Sequence, residues 1–141
     1  MEKILVLGST GMLGHVVVKF FKEKTNHHVY TVSRQAEKNK FHHKLDITNF
    51  NELDLLINNI KPNFIINCAG VLVKNSKKNI ENAILINSYL PHFISKIINK
   101  NCKLIHISTD CVFDGLKGNY DESDSVSPID IYGRTKSLGE I

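Results

Sequence analysis

Strand-length runs of nearly unbroken apolarity recur along this chain: KILVL at 3–7, VYTVS at 29–33, FIIN at 64–67 and KLIHIS at 103–108, with a weaker fifth, FHHKL, at 41–45. A strand with one wet face alternates apolar and polar residues. A continuous run needs both faces covered, as in a parallel sheet sheathed by helices. The intervening segments have the helical period. From 11 to 24 the apolar residues Met12, Leu13, Val16, Val17, Phe20 and Phe21 share a face, and from 49 to 60 Phe50, Leu53, Leu56, Ile57 and Ile60 do the same behind an Asn49 cap with Glu52 three residues on. A third stretch, 80–99, carries Pro91 in its middle. Proline removes a backbone donor, so a kink is expected around Leu90. The alternation predicts an α/β fold, a doubly wound, Rossmann-like parallel sheet in the order 3-2-1-4-5 with right-handed crossovers, truncated before the last strands.

A length of 141 residues, 42% of them hydrophobic, suits one domain over 1–141. Its 18 basic residues against 14 acidic leave a net charge of +4, and lysines such as Lys19, Lys22, Lys24, Lys74, Lys77, Lys78, Lys96 and Lys100 are spread along the chain rather than gathered into one block. That distribution describes a solvated surface. With only two arginines and no aromatic residues interleaved with the lysines in the manner a stacking platform needs, nucleic acid is not an expected partner. Cys68, Cys102 and Cys111 lack metal-ligand or CxxC spacing and point to a reduced, cytoplasmic setting. The histidine pairs 27–28 and 42–43 would point to opposite sides of a strand, so no metal site is expected. The apolar run from Ile4 to Leu7 is too short for a membrane span or signal core.

Directly after the first strand comes GSTGMLG, with Gly8, Gly11 and Gly14 at intervals of three. Glycines let the backbone turn tightly and approach a ligand, and the helix behind them offers free N–H groups and a partial positive charge suited to a pyrophosphate. Thr10, Met12 and Leu13 complete this candidate cofactor-binding turn. Its place between an apolar strand and an amphipathic helix gives the glycine triplet its weight. In dinucleotide sites an acid about 20 residues further on often holds the ribose 2′-hydroxyl. Here Ser33 and Arg34 occupy that place. Serine and arginine would accept a 2′-phosphate that a carboxylate repels, so NADP(H) is preferred and NAD(H) is the alternative. Asp46, with Ile47 beside it, stands past the third run, where it either accepts a hydrogen bond from the adenine or starts the next helix.

YGRTK, 132–136, places Tyr132 and Lys136 four residues apart on an expected helix, hence on one face. A free tyrosine titrates near ~10, so cycling a proton at neutral pH needs a nearby positive charge to stabilise the phenolate. Ser108 and Thr109 end the fifth run, at the sheet edge where α/β folds hold ligands. An oxyanion formed by hydride addition to a ketone would be met there by Thr109 and Tyr132. YxxxK alone is more often a surface tyrosine and lysine. The combination with the glycine turn gives it meaning.

Together, the glycine spacing, NCAG at 67–70, STD at 108–110, and Tyr132 with Lys136 resemble the extended short-chain dehydrogenase/reductase superfamily. Within it, STDCVFDG followed by NYDESDSVSPIDIYGRTKSLGE is most similar to the dTDP-4-dehydrorhamnose reductases and related sugar-nucleotide reductases, over essentially the whole chain. The resemblance implies that Thr109 polarises the substrate carbonyl, Tyr132 donates the proton and Lys136 is its electrostatic partner. It further implies that Asn67, Ala69 and Gly70 line the cofactor, and it matches Asn87 to the superfamily's helix asparagine. The implied substrate is a nucleotide-linked 4-keto-6-deoxy sugar used in cell-surface polysaccharide synthesis, and a homo-oligomer is compatible with it. Cys111 stands where the family has tyrosine, and the sequence that covers the nucleotide sugar in the family is not present. The chain alone is therefore expected to be inactive, the segment after Pro128 to fray, and the fifth strand to leave an uncovered edge. An epimerase or dehydratase is a rival, but the dehydratase motif reads Thr-Asp-Glu, and a free thiol, mostly protonated at pH 7, is a poor substitute for that acid. A non-catalytic dinucleotide-binding or regulatory subunit is the rival from another class.

Overall fold

In the computed structural model, which describes residues 1–34 and 40–141, the apolar runs become five parallel strands: β1 Lys3–Leu7, β2 His28–Ser33, β3 His42–Lys44, β4 Phe64–Asn67 and β5 Lys103–His106. Their order is β3-β2-β1-β4-β5, as the alternation predicts. β1 is the pivot, pairing with β2 on one side and β4 on the other, so Leu7 lies beside both Val32 and Asn67. The chain reverses its direction of travel across the sheet between β1 and β4, and all five carboxyl ends share one edge.

Two compact units divide the chain. The first, residues 1–69 and 93–107, holds the whole sheet. Helix α1, Gly14–Lys24, lays Val17, Val18 and Phe21 on a core of Ile4, Val6, Val29 and Ile66. On the opposite face Leu5, Leu7 and Ile65 are as fully buried as Leu53 of helix α2, Phe50–Ile60. This two-sided burial is what the continuous apolarity demanded. Helix α2 starts where its cap predicts, the Asn49 side chain accepting from the Glu52 N–H. Helix α1 starts later than its apolar period suggests, at Gly14 rather than Gly11, because residues 8–13 form a turn closed by Gly11 N–H donating to Gly8 O at 3.0 Å.

The second unit, residues 70–92 and 108–141, contains α3 Val73–Lys78, α4 Ile80–Ala83, a π-helical segment Ile84–Tyr89, the start of α5 Leu90–Ile97, a 3₁₀ turn Asp110–Val112 and α6 Ile131–Leu138. The expected kink at Leu90 takes a different form. Pro91 has no N–H to offer the preceding turn, and the ladder slips by one residue, with Leu90 N–H donating to Leu85 O. Helix α3 has no apolar period, which is why periodicity misses it. Among the described residues no helix is long and apolar enough to cross a membrane.

Candidate functional site

The candidate cofactor residues of the first unit gather along the carboxyl edge of the sheet. Gly8 leaves β1 at φ +70°, and a Cβ there would stand 2.7 Å from the Ala69 nitrogen. A Cβ on Gly14 would stand 2.1 Å from Gly8 O. Only glycine fits at both positions, so the turn lies as a bare backbone ribbon against the exit of β4 and opens α1 behind it. Ser9 pins the ribbon, its hydroxyl donating to Val32 O at 2.9 Å. Thr10, Gly11, Met12 and Leu13 form its exposed rim. A backbone cradle with this shape suits a pyrophosphate.

Beside it, the exits of β2 and β3 meet. Ser33 is half-buried with its hydroxyl 3.2 Å from His42 Nε2, and Arg34 is exposed. Asp46 Oδ1 accepts from the Thr48 N–H at 3.0 Å and the Thr48 hydroxyl at 2.7 Å. These bonds, and more weakly the Arg34 guanidinium, hold its carboxyl below the usual range. Asp46 therefore shapes the turn before α2, with Ile47 inside that turn, while Asn49 caps the helix itself. On the other side of β1, buried Asn67 accepts from Ala69 N–H at 3.1 Å and pairs with His106 Nδ1 at 3.0 Å. Asn67 and Ala69 are thereby fixed beside Gly8.

The candidate catalytic residues lie in the second unit. Thr109 is half-buried and caps the 3₁₀ turn, its hydroxyl oxygen accepting from Cys111 N–H at 3.3 Å. Helix α6 lies against this turn because residue 133 is glycine: a Cβ there would meet Cys111 O at 2.1 Å. Tyr132 and Lys136 follow one another on α6, Tyr132 half-buried and Lys136 only 3% exposed. Burial pushes the Lys136 ammonium below the ordinary lysine range, and Glu140 pulls it back up.

Helix α6 is tied at both ends and in the middle. The Asp130 carboxylate accepts from Gly133 N–H at 2.8 Å, and the His92 ring approaches Leu138 O at 2.7 Å. Between them, Asn87 Nδ2 donates to Thr135 Oγ1 at 3.0 Å and Ser88 Oγ donates to Thr135 O at 2.7 Å. Asn87 also clasps Val71, accepting from its N–H at 2.8 Å and donating to its carbonyl at 3.0 Å. Gly70 sits over this clasp, where a Cβ would be 3.7 Å from Asn87 Oδ1. Sequence reasoning passed over Gly133, Thr135, Ser88 and Glu140. A lone glycine inside a helical pattern was the signal that could have marked Gly133.

Lys136 also sets a pH dependence of stability. A lysine whose folded pKa lies below its unfolded value is held charged at a cost below the folded pKa, and that cost disappears as pH rises toward the ordinary ~10.4. The melting temperature of the wild type is expected to rise relative to that of Lys136→Met as the pH climbs through the range just below the ordinary ~10.4. A constant difference across that range would show that burial does not perturb this lysine.

A family model described as the RmlD substrate binding domain matches residues 1–141. The dTDP-4-dehydrorhamnose reductase of Aggregatibacter actinomycetemcomitans is 32% identical over 143 residues, covering 99% of this chain and 46% of that protein. Methionine adenosyltransferase 2 subunit beta of Pongo abelii is 33% identical over 144 residues, covering 99% of this chain and 42% of the relative. Among solved structures, the dTDP-4-dehydrorhamnose reductase of Bacillus anthracis in complex with NADP has a TM-score of 0.79 at 29% identity, covering 99% of this chain and 48% of that one. The chain spans about half the length of these relatives. Matched from its first residue to its last, and built on the parallel sheet and glycine turn described above, the chain belongs to the RmlD substrate binding domain family.

Proposed function

We propose that residues 1–141 are the NAD(P)-binding Rossmann domain of an NADPH-dependent reductase acting on a nucleotide-linked 4-keto-6-deoxy sugar, with Thr109, Tyr132 and Lys136 as its catalytic residues. The observation that carries this reading is the α6 site, where a buried lysine stands one helical turn from Tyr132 on a helix held against the Thr109 turn. The backbone cradle of Gly8, Gly11 and Gly14 fits a dinucleotide pyrophosphate, with Ser33 and Arg34 toward a 2′-phosphate and Asp46, Ile47, Asn67 and Ala69 along the rest of its length, and Gly70 is a further proposed cofactor residue. When bound, the cofactor supplies a hydride to the ketone carbon. Tyr132 gives its phenolic proton to the carbonyl oxygen as charge builds there, Thr109 donates a hydrogen bond to the same oxygen, and Lys136 stabilises the phenolate left behind. Asn87, whose amide is occupied by Val71 and Thr135, serves the cofactor by fixing Gly70–Val71 rather than by touching it. Three unpaired cysteines suit a cytoplasmic protein.

The likeness to a methionine adenosyltransferase beta subunit favours a second reading, a dinucleotide-binding regulatory subunit. NADPH oxidation with a 4-keto sugar nucleotide, measured on a form that continues into the second half found in the relatives, separates the two. Turnover supports the reductase, and tight NADPH binding without turnover supports the subunit. For the cofactor itself, Arg34→Ala is expected to weaken NADPH by about 1–2 kcal/mol, less at high salt, and to leave NADH unchanged. Fluorescence titration of both cofactors checks it, and equal losses for the two would remove the 2′-phosphate role.

A further inference from the structure

A hydroxyl group has one proton, and a ketone oxygen can only accept a hydrogen bond. Thr109 can therefore meet a substrate carbonyl only by pointing its proton at it. In this structure that proton points elsewhere: Thr109 Oγ1 donates to Asp110 Oδ1 at 3.2 Å while accepting from the Cys111 N–H at 3.3 Å. The same Asp110 oxygen takes a second donor, the Cys111 thiol, with Sγ at 3.7 Å. The backbone beneath this cluster is well tied. Phe113 N–H donates to Asp110 O at 3.0 Å, Ser127 N–H donates to Val112 O at 2.9 Å, and Gly133 lets α6 close on the Cys111 carbonyl. Neighbouring Ser108 has its own hydroxyl engaged, donating to the Glu140 carboxylate.

We infer that Asp110 is a positioning residue that sets the direction of the Thr109 proton, so that the resting site favours the alcohol product over the ketone substrate. This rests on the reductase reading of Thr109 and Tyr132. With its proton on Asp110 and one lone pair on the Cys111 N–H, Thr109 turns its other lone pair to a ligand. A lone pair accepts from an alcohol and repels a ketone oxygen. The ketone is therefore bound only as the Thr109 proton swings from the Asp110 carboxylate to the carbonyl. Once hydride has added to the carbon and Tyr132 has given its proton to the oxygen, that oxygen is a hydroxyl with a proton to donate. The Thr109 proton then returns to Asp110 without ever leaving Thr109. Asp110 is exposed, and water competes for its oxygens, so the expected bias is a preference of several-fold and not a block.

Binding to a form that continues into the second half found in the relatives tests the role. The 4-keto sugar nucleotide is titrated with NADP⁺ present and the corresponding alcohol with NADPH present, two pairings that cannot exchange a hydride. Asp110→Ala is expected to tighten the ketone and weaken the alcohol, moving the ratio of the two Kd values by about three- to tenfold. Asp110→Asn, which keeps a neutral acceptor, should move it less. An unchanged or oppositely shifted ratio in a folded Asp110→Ala overturns the proposal. In a Thr109→Val background the same Asp110→Ala change should leave the ratio where it was, because no Thr109 proton remains to be held. A shift of equal size there would mean that Asp110 acts on the sugar directly, and would overturn the proposal as well. The bond itself is read in the 141-residue chain by NMR, where the ¹³C resonance of the Asp110 carboxyl should move in Thr109→Val and, by less, in Cys111→Ala. A resonance unmoved in a folded Thr109→Val removes the bond and the proposal with it, whatever the longer form does. A moved resonance in a protein whose longer form neither binds nor reduces the sugar nucleotide refutes the reductase reading instead, and leaves the Thr109–Asp110 bond as a contact of the turn alone.

Discussion

In a form that continues into the second half found in the relatives, Tyr132→Phe is expected to lower turnover of a 4-keto sugar nucleotide by ~10²–10⁴-fold while leaving NADPH affinity nearly unchanged, because it deletes the proposed proton donor and little else. The ring is half-buried on α6, and the substitution keeps its volume. The helix has its own anchors in the Asp130 cap and in the bonds from Asn87 and Ser88 to Thr135, none of which uses the phenol. Loss of activity through unfolding is therefore not expected, and a thermal melt within a degree or two of wild type serves as the control. Thr109→Val should fall in the same direction by less, since it removes a hydrogen bond to the developing oxyanion and leaves the proton source in place. If Tyr132→Phe turned over as fast as wild type, hydride transfer with Tyr132 as donor would be the wrong chemistry. The dinucleotide-binding subunit would then be the better account.

The sheet was legible in the sequence because burial on both faces leaves no room for alternation, and the runs at 3–7 and 64–67 state it directly. The start of α2 was legible because Asn49 and Glu52 form a local signal that needs no tertiary context. Local signals fail where the outcome depends on distant residues. The turn from Gly8 to Leu13 carries helical apolar spacing, yet its backbone is taken by the contact of Gly8 with Ala69, 61 positions away in the chain. Pro91 announced a break in the helix but not its form, since a kink and a one-residue slip satisfy the missing donor equally well. Asp46 kept two meanings because its identity as a turn-former depends on the Thr48 hydroxyl donating back to its carboxylate. The α6 site was legible as a pair, Tyr132 and Lys136. What holds that pair is a set of small and polar residues, Asn87, Ser88, Gly133 and Thr135, whose roles follow from packing rather than pattern.

Asn87→Leu is expected to be the most damaging single change in the second unit, costing about 2–4 kcal/mol of stability although leucine has a similar volume. Asn87 is fully buried and makes three side-chain hydrogen bonds, to Val71 N–H, Val71 O and Thr135 Oγ1. Leucine would bury the Val71 peptide groups without those partners, and an unmade buried hydrogen bond costs more than a made one contributes. The damage should travel in two directions from this residue. Toward Val71 it frees the segment after Gly70, and toward Thr135 it loosens the middle of α6, where Thr135 Oγ1 in turn donates to Tyr132 O at 3.0 Å. Urea unfolding reads the stability loss, and hydrogen exchange reads its route, with faster exchange expected in 131–138 and around 71 than in the strands of the first unit. Asn87→Asp is the discriminating partner, since it keeps an acceptor for Val71 N–H but sets a carboxylate oxygen against Val71 O and Thr135 Oγ1. If both variants were as stable as wild type, with α6 equally protected, the clasp would be a by-product of packing. The alignment of Tyr132 and Lys136 would then have to come from the other ties of α6, the Asp130 cap, the Ser88–Thr135 bond and the Gly133 contact with the 3₁₀ turn.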